Sequence, residues 1–190
     1  MNRYRYWKIF FDSILSFILI IFFLPLLVVL FIIATIDTHS NGIFFQKRIG
    51  QFGKTFIIYK FKTIHDQKKV SSATGLLLRK YKLDELPQLF NILKGDMSFV
   101  GPRPDVKGYY DALTGAERKV LELKPGLTSE ASIKYSNENA VLQLQKDPLW
   151  YNDEVLFPDK LKMNLHYLEN MSLANDLRIL MKTIFKVIVK

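Results

Sequence analysis

The sequence predicts an α+β fold: an apolar helical segment at the N-terminus, one small β-hairpin, and a mostly helical remainder that includes amphipathic helices. Three observations predict it. Residues 14–36 carry no charge, residues 42–64 alternate apolar and polar side chains, and the later apolar positions recur every three to four residues. At 190 residues the chain suits one compact domain plus an extra element. We divide it into residues 1–38, an anchoring segment, and residues 39–190, the folded domain.

The anchoring segment reads "ILSFILIIFFLPLLVVLFIIATI" from Ile14 to Ile36, 23 residues without a charge. As a helix it is about 35 Å long, enough to cross a hydrocarbon core of about 30 Å. It is longer than the apolar region of a cleaved signal peptide and ends in "DTHSNG" rather than at small residues, so we expect it to be retained as an anchor. Arg3, Arg5 and Lys8 precede the run, and Lys47, Arg48 and Lys54 follow it, which draws both ends toward the cytoplasm. Pro25, at its centre, removes one backbone donor and clashes with the carbonyl of Ile21. On the residues alone, a helix-break-helix hairpin returning to its own side and a kinked spanning helix both stand.

Next, Gly42 to Ile64 alternates around "RIGQFGK" and is rich in β-branched and aromatic residues, the pattern of a β-hairpin. The polar stretch from His65 to Gly75 is expected to be a surface loop, and Leu76 to Lys82 a short helical turn.

Residues 82–104 read "KLDELPQLFNILKGDMSFVGPRP". Leu83, Leu86, Phe90 and Leu93 fall on one helical face, and Gly95 stands where a helix would end. Pro87 belongs in a first turn, which places the helix start near Asp84 and makes Asp84 a neighbour of the N-cap. There a carboxylate is kept ionised, as a nucleophile or a Mg²⁺ ligand requires; simple capping is the plainer role. Glu85 follows directly, and Arg79, Lys82 and Arg103 supply positive charge nearby. Arg103 lies between Pro102 and Pro104, which stiffen the loop presenting its planar fork.

The last segment, Ser172 to Lys190, sets Leu173, Leu177, Leu180, Ile184 and Ile188 along one face, beside Arg178, Lys182, Lys186 and Lys190. That pattern suits a helix lying in an anionic membrane interface, and equally a core helix with a basic edge.

A net charge of +9 calls for an anionic partner: lipid headgroups, nucleic acid or a phosphorylated substrate. Absence of cysteine excludes disulfides and thiolate metal sites, and three scattered histidines give no ligand spacing. Most of the 15 phenylalanines fall in apolar or alternating segments rather than among exposed basic residues, which argues against nucleic acid. A phosphate-handling enzyme and a non-catalytic basic membrane-surface module both fit these features.

At "KFKT" (60–63), "LDELPQLFNILKGDMSFVGPRP" (83–104) and "KPGLT" (124–128), the chain resembles the bacterial sugar transferase family, the monotopic phosphoglycosyl transferases. The resemblance implies transfer of a sugar 1-phosphate from a UDP-sugar to polyprenol (undecaprenyl) phosphate, with release of UMP. It implies a covalent phosphoaspartyl intermediate, Mg²⁺, and a place on the cytoplasmic face of the bacterial inner membrane, with the anchor re-entering at Pro25. By position in the motifs, Asp84 is the expected nucleophile and metal position and Glu85 its partner. Arg79, Arg103, Lys60 and Lys62 are the expected phosphate contacts. Leu24 stands where many members have serine. After "KPGLT" the chain reads "SEASIKYSNENA" where many members continue Gly-Trp-Ala-Gln, a departure in a stretch suited to recognising the sugar.

Overall fold

A computed structural model describes residues 4–66 and 69–188. Arg3, used above as a flanking charge, and Lys190, placed above on the basic edge of the last helix, lie outside the described residues, as does part of the 65–75 stretch.

The N-terminal segment is a single helix, α1 (Tyr4–Thr38), with Pro25 inside it. Residues are helical on both sides of Pro25 and at it, so the break expected there is at most a kink: the proline costs one backbone hydrogen bond but no helical residue. One stripe of α1 is buried from end to end: Lys8, Ser16, Ile20, Leu27, Leu30, Ala34 and Thr38. The opposite face exposes Trp7, Phe10, Ile21, Phe22, Val29 and Ile36.

The expected hairpin is present. β1 (Ile43–Ile49) pairs antiparallel with β2 (Thr55–Phe61), Gln46 opposite Ile58, and a 3₁₀ turn at Gln51–Gly53 joins them. α2 (Ala73–Lys80) starts three residues earlier than expected, because the Ser72 hydroxyl accepts from the Gly75 N–H as an N-cap.

Residues Leu83–Glu85 form a single 3₁₀ turn, and α3 (Gln88–Lys94) begins only after it, with Pro87 at the cap position. Asp84 is therefore not beside the N-cap. The face of α3 also differs from the expected one: Leu89, Asn91 and Ile92 are buried while Phe90 and Leu93 are half-exposed. Shifting the start past Pro87 separates Leu83 and Leu86 from the helix proper. These two leucines pack instead on a cluster of Leu27, Leu30, Ala34, Phe61 and Leu78, which fixes the 3₁₀ turn to α1. Gly95 ends α3 in the left-handed region at φ 86°, as the sequence suggests.

A second sheet was not expected. β3 (Ser98–Val100) and β4 (Gly126–Thr128) form a short parallel pair, which brings "SFVGPRP" and "KPGLT" side by side. Where they cross, a Cβ added to Gly126 would lie 2.1 Å from the Gly101 nitrogen, so both positions need glycine. Around this pair a core of Ile92, Met97, Phe99, Val100, Val120, Leu161 and Ile179 assembles.

The remainder is helical: α4 (Glu130–Lys134), α5 (Glu138–Gln143), α6 (Pro148–Tyr151), a π-helical turn at Asn152–Leu156, α7 (Phe157–Glu169) and α8 (Leu173–Ile188). α8 buries Asp176 and Ile179 but exposes Leu173, Leu177, Met181, Ile184 and Phe185. Of the expected apolar face, Leu173, Leu177 and Ile184 are thus turned outward, as suits a helix lying in an interface, while Leu180 packs on the core.

Candidate active site

The 3₁₀ turn begins at Lys82, a non-glycine residue held in the left-handed region at φ 58°. Such backbone costs about 1–2 kcal/mol, and here it aims Asp84 and Glu85 into the protein. Both are buried, at 8% and 6% exposure.

Glu85 is gripped from two sides. Lys60 Nζ, from β2, donates to Glu85 Oε1 at 2.8 Å, and Arg103 Nη2, from the loop after β3, donates to the same oxygen at 3.0 Å. Burial opposes its charge most strongly, yet Arg103, Lys60 and Lys82 outweigh burial and lower its carboxyl to about 2. Half the Arg103 side chain is exposed, which leaves donors free on the cavity side.

Asp84 differs. Its Oδ1 is buried with no hydrogen-bond partner. Burial and the adjacent Glu85 push its carboxyl above the ordinary value, and Lys60, Lys82 and Arg79 only partly offset them. This reverses the lowered value expected of a capping aspartate, because Asp84 receives no backbone donors from a helix start. An ionised Asp84 therefore calls for more positive charge than the chain itself supplies.

Positions of the other expected residues are mixed. Lys60 and Arg103 meet at Glu85. Arg79 Nε donates to Thr63 Oγ1 at 2.7 Å and reaches Asp84 only through its charge. Lys62 is engaged elsewhere, by Asp66 Oδ2 at 2.6 Å and Ser40 Oγ at 2.9 Å. Pro25 lies on α1, whose Leu27 and Leu30 pack in the cluster beneath Leu83 and Leu86.

Beside Glu85 opens a cavity of about 730 Å³. Arg48, Arg103, Asp105 and Lys160 line it, together with Ser129 to Ala140 in part and Ile184, Lys186 and Val187 of α8. Glu85 faces this space, whereas Asp84 is not on its wall: neighbouring side chains on a 3₁₀ turn diverge by about 120°. The departing stretch "SEASIKYSNENA" forms α4, the turn and the start of α5, and supplies Ser129, Asn137, Glu138 and Asn139 to the wall. Glu138 is held by Lys160 at 2.6 Å, and Glu130 lies apart, paired with Arg178 at 2.6 Å.

Sequence reasoning missed Asn91. Wholly buried, it accepts from the Tyr59 N–H at 3.0 Å and donates to the Ile57 carbonyl at 2.7 Å, tying α3 to the strand that carries Lys60. A polar residue at the inward position of an apolar helix was the available signal. Arg48 entered only as a flanking charge.

The family model for bacterial sugar transferases matches residues 3–190. The chain is 35% identical over 174 residues to the uncharacterized sugar transferase EpsL of Bacillus subtilis, covering 85% of this chain and 78% of that protein. It is 31% identical over 206 residues to the undecaprenyl-phosphate galactose phosphotransferase of Salmonella typhimurium, covering 94% and 40%. With the UDP-glucose:undecaprenyl-phosphate glucose-1-phosphate transferase of Klebsiella pneumoniae it shares 33% over 193 residues, covering 92% and 38%. The chain thus spans about two-fifths of the length of these last two relatives.

Proposed function

The chain belongs to the bacterial sugar transferase family, and from that premise we propose that it transfers a sugar 1-phosphate from a UDP-sugar to undecaprenyl phosphate through an aspartyl intermediate. The observation that carries this reading is the pairing of Glu85, whose Oε1 is held by both Lys60 and Arg103, with a buried neighbour, Asp84, whose Oδ1 has no partner.

In the first half-reaction Asp84, which does not line the cavity in this structure, turns toward it, and one of its oxygens bonds to the phosphorus bearing the sugar. The bond from that phosphorus to the bridging oxygen breaks, and UMP leaves with the electron pair. In the second, an oxygen of the lipid phosphate attacks the same phosphorus, Asp84 is released, and a polyprenyl diphosphate sugar forms. Arg103 presents donors to the phosphates, while Lys60 and Arg103 keep Glu85 ionised and in place beside the nucleophile.

Mg²⁺ fits Asp84 as its protein ligand. A cation would satisfy the partnerless Oδ1 and offset the burial of the Asp84 charge. Magnesium at phosphoryl sites ordinarily takes one or two carboxylates and completes its shell with water and substrate phosphates. Bound there, it neutralises diphosphate charge and stabilises the departing UMP.

We also infer a monotopic attachment at the cytoplasmic face of the inner membrane. Near its start α1 is bound to the domain through Arg5 to Glu122 and Lys8 to Asp176, and near its end through Asp37, which accepts from Ser72. Buried positions run between these ends, so no stretch of about 30 Å is left to cross a bilayer clear of the domain. α8, with its outward apolar face, also forms a wall of the cavity, giving a lipid phosphate a short route inward.

The test is UMP release from a panel of UDP-sugars with undecaprenyl phosphate and Mg²⁺. Release that depends on one donor and stops on chelation supports the reading; silence across a broad panel by folded protein refutes it. Single cysteines at Tyr6 and Asn41 test the topology in this cysteine-free chain. Both are shielded from an impermeant maleimide in intact cells if the attachment is monotopic, and one is labelled if α1 spans.

A further inference from the structure

Among the described residues, three buried polar side-chain atoms lack a hydrogen-bond partner: Asp84 Oδ1, Gln88 Nε2 and Arg48 Nε. Native proteins rarely leave such groups unpaired unless something else fills the space. Arg48 stands near the end of β1 and lines the cavity. Its Nη2 donates to Gln46 Oε1 at 2.6 Å, its Nη1 reaches the Pro104 carbonyl only at 3.5 Å, and its Nε donates to nothing. Most of a five-donor fork is unspent.

The surrounding charge favours an anion. Arg48, Lys80, Lys82, Arg103, Lys160 and Lys186 line the cavity against Glu85, Asp105 and Glu138. Of these acids, Glu85 is already bonded to Lys60 and Arg103, and Glu138 to Lys160. Burial disfavours the charge on Arg48; Asp105 and Glu85 offset this in part, while Arg103 adds repulsion. A half-buried guanidinium with idle donors beside a second arginine is relieved by a bound phosphate, which accepts from planar forks.

We propose that Arg48 is a phosphate-binding residue that holds the nucleoside-side phosphate of the donor, the group that departs as UMP. The assignment rests on the phosphoglycosyl transfer reading. Arg103 is bonded to Glu85, next to Asp84, and so serves the phosphorus under attack. Arg48 is bonded instead to Gln46 and the Pro104 carbonyl, and serves the phosphate beyond it.

Calorimetric titration of UMP and of uridine into purified wild type, Arg48→Gln and Arg48→Lys tests this, with thermal melting to confirm folding. The expected result is that Arg48→Gln weakens UMP about tenfold or more, leaves uridine unchanged, and that Arg48→Lys restores part of the loss. A folded Arg48→Gln protein that binds UMP within twofold of wild type overturns the assignment, as does equal weakening of uridine, and either outcome leaves the transfer reading standing. Failure of wild type to bind UMP at all overturns the nucleotide-donor reading and the assignment with it.

Discussion

Lys60 on β2 donates to Glu85 on the 3₁₀ turn at 2.8 Å, and this buried ion pair joins the hairpin to the acidic pair. Lys60→Met leaves Glu85 with Arg103 alone. We expect a loss of about 2 kcal/mol in urea unfolding, the order of one hydrogen bond to a charged group, and a fall in UMP release of about a hundredfold, the order seen when one electrostatic donor is removed from a reacting centre. Unchanged activity would show that Glu85 does not depend on the strand.

Asn91 holds that strand in register with α3 through two backbone hydrogen bonds. Asn91→Leu keeps the volume roughly constant but orphans the Tyr59 N–H and the Ile57 carbonyl. The expected cost is about 2–4 kcal/mol, two buried groups left unpaired. Because Lys60 follows Tyr59, activity should fall even at temperatures where the variant is folded; Tm and UMP release measured side by side check this.

Glu85 gives a pH signature. Its carboxyl is lowered in the fold from an ordinary 4.5 to about 2. Below 4.5 the unfolded chain takes up a proton that the folded chain refuses, so this contribution is complete above 4.5 and is lost as pH falls toward about 2. The stability advantage of wild type over Glu85→Gln should therefore be largest near neutrality and narrow across that window, as urea unfolding at several pH values will show.

The first and last helices share a buried lock. Lys8 pairs with Asp176, whose carboxylate also accepts from the Tyr4 hydroxyl at 2.7 Å and the Tyr167 hydroxyl at 2.5 Å. Asp176→Ala strands the Lys8 charge and should cost about 3 kcal/mol or more, whereas adding Lys8→Met should recover part of it. Since the Thr183 hydroxyl of α8 bonds that of Thr128 at the cavity, the single variant should also raise KM for the donor.

Much of this arrangement was legible in the chain because its signals are local. Alternation around "RIGQFGK" marked the hairpin, Gly95 marked the end of α3, and the adjacent acids and the proline-flanked arginine stood out as special positions, though not as partners of each other. The β3–β4 pairing was not legible, since three-residue strands meeting across 25 intervening residues carry no periodicity. The partners of Lys62, Asp66 and Ser40, were not legible, since a motif match gives a position but not what the side chain meets. The direction of the Asp84 shift was missed because Pro87 takes the cap position and burial then dominates.

Intact-protein mass spectrometry tests the central claim most directly. Wild type and Asp84→Asn are incubated with Mg²⁺ and a UDP-sugar panel without lipid acceptor. The account predicts a mass gain of one sugar phosphate on wild type, matched by UMP release and absent from Asp84→Asn. No adduct on wild type, with UMP appearing only once undecaprenyl phosphate is added, would contradict it and mean direct transfer between donor and lipid.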